Sequence, residues 1–256
     1  MKNFFICLIS LCAICTFLCG CGSKKDAQIS NADSLMQTEE DNLTSQLPQV
    51  DSAVGNIEQD TQNINDKISI TRYTYSEGKI SLNFPVISGF ENEQLENECN
   101  NILKNSLLER KQHHSARDVL TADFEITAST DEFLSILTTI QIIPDGAATP
   151  YYLFQSLNVD LANGKIVRLC DNYSANQLAI DFSAQWVLST PNGRTADAAE
   201  ALTTLSHKEL AAKFSKCDVK PGEIYAEGCS FVRDDQTYVY IPINHALGDY
   251  ALCKIY

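Results

Sequence analysis

The composition of the chain changes abruptly near residue 66, and this change decides where a hydrophobic core can form. Residues 22–66 contain no Phe, Tyr, Trp or Cys and consist mainly of small polar and acidic residues. All ten tyrosines and the only tryptophan come later. A polar segment of this kind cannot bury enough apolar surface to offset the entropy lost on ordering. We therefore predict a disordered acidic tether over 21–66 and a folded region over 67–256, which is long enough for a sizeable core.

The first twenty residues have the pattern of a bacterial lipoprotein signal. Lys2 precedes an apolar run that ends in the lipobox-like sequence Leu18-Cys19-Gly20-Cys21. The run is short for a membrane-spanning helix and ends at a cleavage-like site. We predict a signal peptide over 1–20, cleavage between Gly20 and Cys21, and a palmitate-type lipid anchor on Cys21 at the extracytoplasmic face of a Gram-positive cell membrane. An ordinary signal peptide or an uncleaved anchor is the alternative.

The net charge of the chain is strongly negative, at −14. Removing residues 1–20 deletes one lysine and no acid, which leaves 18 basic and 33 acidic side chains and a charge of −15. This balance excludes nonspecific binding to nucleic acid or to an anionic surface, because both require basic patches. It is compatible with a cationic extracellular protein as partner, and it also serves solubility.

Residue periodicity predicts an α+β fold in which antiparallel sheets carry packed helices. Alternation of apolar and polar residues indicates strands, whereas apolar residues at helical spacing and capping-box patterns indicate helices. We predict two small subdomains in one compact region, 67–145 and 146–256. The predicted strands are 68–75, 79–86, 122–128, 134–142, 153–161, 224–233, 237–243 and 250–256, and the predicted helices are 91–110, 174–186 and 206–214.

Three stretches resemble a known bacterial extracytoplasmic domain family. They are Asn83-Phe84-Pro85-Val86-Ile87-Ser88-Gly89-Phe90 before a helix, residues 133–173 with their Asn163-Gly164 turn, and residues 238–248. The family occurs in the outer part of the lysozyme-sensing anti-sigma factor, in the N-terminal region of a peptidoglycan deacetylase and in many Gram-positive lipoproteins. The resemblance implies the fold more than an activity. It breaks at Ala148, where family members often carry a histidine, so chemistry attributed to that histidine is not expected here.

No motif of the chain identifies a catalytic residue, a metal site or a cofactor. A Gly-x-Ser-x-Gly elbow, a P-loop and a His-Glu-x-x-His sequence are all absent. His113 and His114 lie in a local basic spot, but a metal site would need a third ligand that the sequence does not indicate. His207 in a capping box and His245 before a turn are interpreted as structural. We therefore predict no catalytic residue, no metal and no cofactor.

The best candidate for ligand contact is the group of aromatic residues Tyr151, Tyr152 and Phe154. They follow Pro150 at a junction between a loop and a strand. Exposed aromatics on a loop often act as binding anchors. The alternative is that they pack inward and stabilise the sheet.

Five cysteines remain beyond the signal peptide and the lipobox cysteine Cys21, and their number and spacing do not form a disulfide framework. Cys217 and Cys229 flank a predicted turn and are suited to pair in an oxidising exterior, but free buried thiols are equally compatible with the sequence. The five are Cys99, Cys170, Cys217, Cys229 and Cys253.

Together these features predict a noncatalytic, surface-anchored lipoprotein that binds a protein or cell-wall ligand such as peptidoglycan. One alternative is an enzyme that acts on the cell wall through a site assembled from scattered residues. Another is a lysozyme-binding or lysozyme-inhibiting protein, which the resemblance implies and the acidic charge permits.

Overall fold

The computed structural model describes residues 60–64, 66–220, 222–223 and 225–256. These residues form two β-sheets and five α-helices, so the predicted α+β class is confirmed. The predicted signal peptide and the predicted tether up to residue 59 lie outside the described residues. Within the described ranges, no helix is long and apolar enough to cross a membrane.

The first sheet contains seven strands whose spatial order follows the chain. Its central strands are the longest, and the alternating residues of β4 and β5 pair in register over most of their length. The strands are β1 (Asp60–Asn63), β2 (Ser69–Glu77), β3 (Ile80–Ser88), β4 (Val119–Ser129), β5 (Phe133–Ile143), β6 (Tyr151–Asp160) and β7 (Lys165–Ile166).

Strand β1 lies inside the segment that the sequence predicts to be tether. It pairs antiparallel with β2, from Asp60 opposite Arg72 to Asn63 opposite Ser69. The next residue, Ile64, donates its backbone N–H to the carbonyl of Ile68 at 2.8 Å and contacts the apolar cluster around Ile70. The prediction of tether is therefore wrong for residues 60–64. Backbone pairing with an edge strand makes few demands on side chains, so a polar composition did not reveal it.

Helix α1 (Glu93–Gln112) connects β3 to β4 and makes their pairing the one parallel pair among the described strands. The side chain of Asn92 caps the helix by accepting from the backbone N–H of Leu95 at 3.2 Å. Acidic residues occupy its first turn and basic residues its last, as the helix dipole favours. A helix of this length returns the chain to the end of the sheet from which it left, so β4 runs parallel to β3.

The second sheet has four strands in the order β8-β11-β10-β9. Short helices precede and interrupt it; α4, rich in alanine, was not predicted, and the helix predicted over 174–186 ends at Asp181. The strands are β8 (Val187–Ser189), β9 (Cys229–Arg233), β10 (Gln236–Pro242) and β11 (Tyr250–Lys254), and the helices are α2 (Leu169–Asn172), α3 (Ala175–Asp181), α4 (Thr195–Thr203) and α5 (His207–Phe214).

The two faces of the first sheet have different coverings. Helix α1 packs on one face, where Leu134 and Ile136 of β5 meet Leu103. Strand β9 packs on the other face, against β4, β5 and β6. The predicted subdomain boundary after residue 145 falls between β5 and β6, which pair along ten residues, and the chain changes sheet later, between β7 and β8.

Candidate functional site

A cleft of about 300 Å³ lies where the loop before β6 meets the turn between β10 and β11. Its walls come from three parts of the chain that are far apart in sequence. The cleft is lined by Thr149, Pro150, Tyr152, Pro191, Asn192, His245, Ala246, Gly248 and Asp249.

The turn between β10 and β11 is built so that two polar side chains face this cleft. Asn244 accepts a hydrogen bond from the backbone N–H of Ala246 at 2.9 Å and so begins a 3₁₀ turn over His245–Leu247. Gly248 follows with φ 110°, and a Cβ atom there would lie 2.8 Å from Oδ1 of Asn192. A glycine is therefore required at this position, both for the backbone conformation and for the close approach.

A chain of hydrogen bonds links a hydroxyl, an imidazole and a carboxylate across the cleft. Nδ1 of His245 lies 2.8 Å from Oδ1 of Asp249, and Nε2 lies 3.3 Å from Oγ1 of Thr149. The second carboxylate oxygen accepts from the backbone N–H of Tyr152 at 2.9 Å. An ionised carboxylate only accepts, so Nδ1 is assigned the proton and Nε2 of the neutral ring accepts from the threonine hydroxyl.

Of the predicted ligand-contact residues, Tyr152 lines this cleft, Tyr151 lies beside it, and Phe154 lies in the core. Tyr151 is 41% exposed and stacks on the ring of His245, with 4.0 Å between the ring centroids. Tyr152 is half-buried, and its hydroxyl accepts from Nε2 of Gln141 at 2.9 Å. Phe154 is buried and lies flat on Tyr240, with ring centroids 3.7 Å apart. Phe154 is therefore a core residue, because it lies on the face of β6 that the second sheet covers.

The cleft can bind a neutral or weakly polar ligand and can accept a proton. The exposed face of Tyr151 offers a flat apolar surface, and the pair formed by Thr149 and His245 offers hydrogen bonds. Asp249 orients the imidazole by accepting from Nδ1, which is the arrangement that general-base chemistry uses. The side chain of His245 is 37% exposed and that of Asp249 is 12% exposed, so the carboxylate is shielded while the imidazole is accessible.

Sequence reasoning singled out Tyr151 and Tyr152 but none of the polar side chains that line this cleft. His245 was interpreted as structural, and Thr149 and Asp249 were not singled out. The sequence around Gly248 does predict the turn between β10 and β11. However, the contact between Thr149 and His245 joins residues 96 positions apart, and this pairing only follows from the packing of the two sheets.

The basic spot after α1 is neutralised by acidic neighbours. Lys111 forms an ion pair with Glu77, and Arg117 lies 3.7 Å from Asp145. His114 lies 3.6 Å from Asp118, and the pKa of that carboxyl is lowered, chiefly by a hydrogen bond from the backbone N–H of Asp145. Within the part of the chain that the structure describes, no three His, Cys, Asp or Glu side chains are grouped to hold a metal ion.

A buried polar network joins the two sheets through Asp218. Its carboxylate accepts from the backbone N–H groups of Leu169 and Ser230 at 2.7 and 2.6 Å and from the hydroxyls of Ser156 and Ser230 at 3.1 and 2.5 Å. Burial raises the pKa of the Asp218 carboxyl, while these hydrogen bonds act to lower it. At 5% exposure the group is closed to a ligand, so we assign it a structural role.

The five cysteines of the folded region are free thiols. Cys217 packs with Phe214 and Cys253, whereas Cys229 packs with Phe154 and Phe231 in a different cluster. The structure therefore corresponds to the free-thiol alternative rather than to a disulfide between Cys217 and Cys229. Burial raises the pKa of the Cys217 thiol and of the Cys229 thiol well above the ordinary value for cysteine. Both are therefore unreactive, because the thiolate is the reactive form.

Comparison with known proteins gives distant structural similarity only. No family model matches the chain, and no curated protein matches it. A DUF3298-family protein from Bacteroides fragilis is similar in structure over 78% of this chain and 90% of its own, with a TM-score of 0.40 and 14% identity. A DUF3298-family protein from Pseudomonas aeruginosa is similar over 46% of this chain and 57% of its own, with a TM-score of 0.29 and 11% identity. The structural neighbours are thus DUF3298-family proteins at low identity.

Proposed function

We propose that this chain is a noncatalytic lipoprotein, anchored through Cys21 to the outer face of the cell membrane, whose folded region binds a protein or cell-wall ligand at the cleft beside Tyr151. The observation that carries the proposal is the exposed ring of Tyr151, held in place by stacking on His245. An exposed aromatic ring that is fixed by its neighbours loses little entropy when a ligand covers it. The lipobox-like sequence supports the anchor.

A binding assay with matched variants tests the proposal. We would measure co-sedimentation of the full chain, in mild detergent, with insoluble peptidoglycan, and its binding to lysozyme as a basic protein. Tyr151→Ala removes the exposed ring, and His245→Asn removes the imidazole but keeps an amide N–H for Asp249. Both variants should lose capture of whichever ligand binds, at an unchanged melting temperature.

Tyr256→Ala is the control for this assay, because Tyr256 is 71% exposed and packs near Trp186, away from the cleft. It should bind like the unmodified chain. Equal binding by Tyr151→Ala and the unmodified chain would show that the cleft is not the contact surface. Binding of lysozyme but not of peptidoglycan would favour the lysozyme-binding alternative, which the resemblance to the anti-sigma factor ectodomain suggests.

A second candidate function is hydrolysis, and the Thr149–His245–Asp249 hydrogen-bond chain favours it. A hydroxyl that donates to an imidazole oriented by a carboxylate is the arrangement of an activated nucleophile. We place this candidate second because Thr149 is exposed and the imidazole is open to water, whereas catalytic sites exclude water. Hydrolysis of p-nitrophenyl acetate that disappears in both Thr149→Ala and His245→Asn would reverse the order of the two candidates.

A further inference from the structure

A second groove, remote in sequence from the cleft, collects positive charge on this acidic protein. It measures about 380 Å³ and runs along the N-terminal half of α1. Lys165, Arg168 and Lys220 line it, and the acid among its lining residues is Glu98. With a net charge of −14 for the whole chain, three cations along one groove are a local exception that requires a physical explanation.

The cations of this groove are available to a ligand. Lys165 and Lys220 are exposed and form no close ion pair among the described residues, although Lys165 interacts electrostatically with Asp160, which lies opposite it in the pairing of β6 with β7. Nε of Arg168 donates to Oδ2 of Asp171 at 3.2 Å, and the backbone N–H of Arg168 donates to the same oxygen at 2.9 Å. These two bonds orient the guanidinium while its terminal nitrogens keep free donors. A guanidinium fixed in this way is suited to a planar, two-oxygen acceptor.

The floor of the groove is apolar. Leu95 and Ile102 of α1 lie beside Val219, and each is 6 or 7% exposed. The groove continues into a larger cleft of about 690 Å³, with which it shares Asn92, Leu95 and Gly164. Only the edges of these apolar side chains reach the groove, and its walls are mainly polar, so a suitable occupant combines an anionic group with a body that is apolar on the side facing α1.

The charge of the whole protein decides between kinds of anion. A polyanion such as a polyphosphate would be repelled by the acidic surface before it reached three cations. A ligand with a single carboxylate meets little of that repulsion and matches the fork of Arg168. Glu98 and Gln94, on the helix side, can accept hydrogen bonds from the N–H groups of a peptide.

We propose that this groove binds the carboxylate end of a short, apolar peptide. The two oxygens lie on the guanidinium of Arg168, Lys165 and Lys220 flank them, and the apolar side chains rest on Leu95, Ile102 and Val219. The site is independent of the cleft beside Tyr151 and does not rest on the function proposed for that cleft.

The experiment is a calorimetric and NMR titration of the full chain, in mild detergent, with acetyl-Leu-Ala-Ala. We expect saturable binding at millimolar or lower concentration, with shifted amide signals at Gly164 and Val219. The same peptide with a C-terminal amide should bind at least about tenfold more weakly, the value of one charge-assisted hydrogen bond. Inorganic phosphate should give no comparable shifts.

Variants locate the carboxylate within the protein. Lys165→Gln combined with Lys220→Gln, and separately Arg168→Lys, should each weaken the free-carboxylate peptide about tenfold. Lys208→Gln combined with Lys254→Gln removes the same charge elsewhere and should leave binding unchanged. The proposal would be overturned if the peptide did not bind or if its amide bound equally well. It would also be overturned if phosphate bound more tightly or if the control pair lost as much affinity. Tyr151→Ala should not affect this titration. A negative result for the peptide groove can therefore be distinguished from a negative result for the function proposed for the cleft.

Discussion

At the scale of single residues, the direction of a side chain decides its role more than its type does. Tyr151 and Phe154 are aromatic residues in the same strand, β6, separated by three positions. Successive side chains in a strand point to opposite faces, so the two rings lie on opposite sides of the sheet. One meets solvent and His245, and the other meets the second sheet.

This difference predicts opposite effects of truncation on stability. Phe154→Ala should lower the free energy of unfolding by about 3–5 kcal/mol, because it removes a buried ring and leaves a cavity against Tyr240. Tyr151→Ala should change it by no more than about 0.5 kcal/mol, as is usual for an exposed side chain. Urea denaturation of the two variants measures both values. Similar losses in the two variants would contradict the assignment of Phe154 to the core and Tyr151 to the cleft.

Asp218 gives a second prediction at this scale, and the size of the expected effect depends on pH. Asp218→Asn should destabilise the fold by about 1–3 kcal/mol near neutral pH, because the amide nitrogen cannot accept from the N–H of Leu169. Burial raises the native pKa of this carboxyl above 3.8. The stability that arises from this difference in pKa is therefore fully present below the unfolded pKa, and it decreases as the pH rises through the native pKa.

The measurement is urea unfolding of the unmodified chain and of Asp218→Asn between pH 3.5 and 7, since the variant lacks this titration. The free energy of unfolding of the unmodified chain minus that of the variant should decrease as the pH rises. A difference that moves the other way would show that the hydrogen bonds outweigh burial and that the native pKa is lowered.

At the scale of elements, strand β1 shows that the folded region begins before its aromatic part. All four residues of β1 are exposed, and the strand contributes backbone pairing rather than burial. By covering β2, it protects an edge that would otherwise be open to pairing with another chain.

Deleting β1 should have a moderate cost. A chain that starts at Asp66 should be less stable than one that starts at Asp60, by about 1–2 kcal/mol, because it loses the pairing with β2 and the contact of Ile64. For a domain of this size that corresponds to a fall in melting temperature of roughly 2–8 °C. Differential scanning calorimetry of the two chains provides the comparison. Identical melting temperatures would mean that residues 60–65 are dispensable for the fold.

At the scale of the whole molecule, the two sheets are held together by one shared layer. Leu137 and Phe154 of the first sheet meet Phe231 and Tyr250 of the second. The polar network of Asp218 lies in the same region, where it links α2, β6 and β9. The cleft beside Tyr151 forms where the second sheet meets the loop before β6, so the site depends on this docking.

The predicted anchor also belongs to this scale. Cys21→Ser should remove the acyl acceptor, so that the protein is released from the membrane fraction or remains as an unprocessed precursor. Labelling of cells with a palmitate analogue, followed by fractionation, measures both outcomes. Continued labelling together with continued anchorage would instead assign the anchor to Cys19 or to an uncleaved N-terminal segment.

The sequence by itself determined the local elements, because helical and strand periodicity depends only on which side chains recur on one face. The α+β class, the long helix α1 and eight of the eleven described strands were predicted, most of them within a few residues of their observed bounds, whereas the short strands β7 and β8 and the short helix α2 were not. The α4 helix was missed since its alanines give no clear apolar stripe. Strand β1 was missed since its pairing uses the backbone.

Only the tertiary structure decided which strands are covered on both faces of their sheet and which distant side chains meet. Ser135 alternates with the apolar residues of β5, yet it is fully buried because β9 covers that face. The contact between Thr149 and His245 arises in the same way, from the docking of the two sheets. Such contacts join residues about a hundred positions apart, and they depend on the packing of complete layers, which no local pattern of residues records.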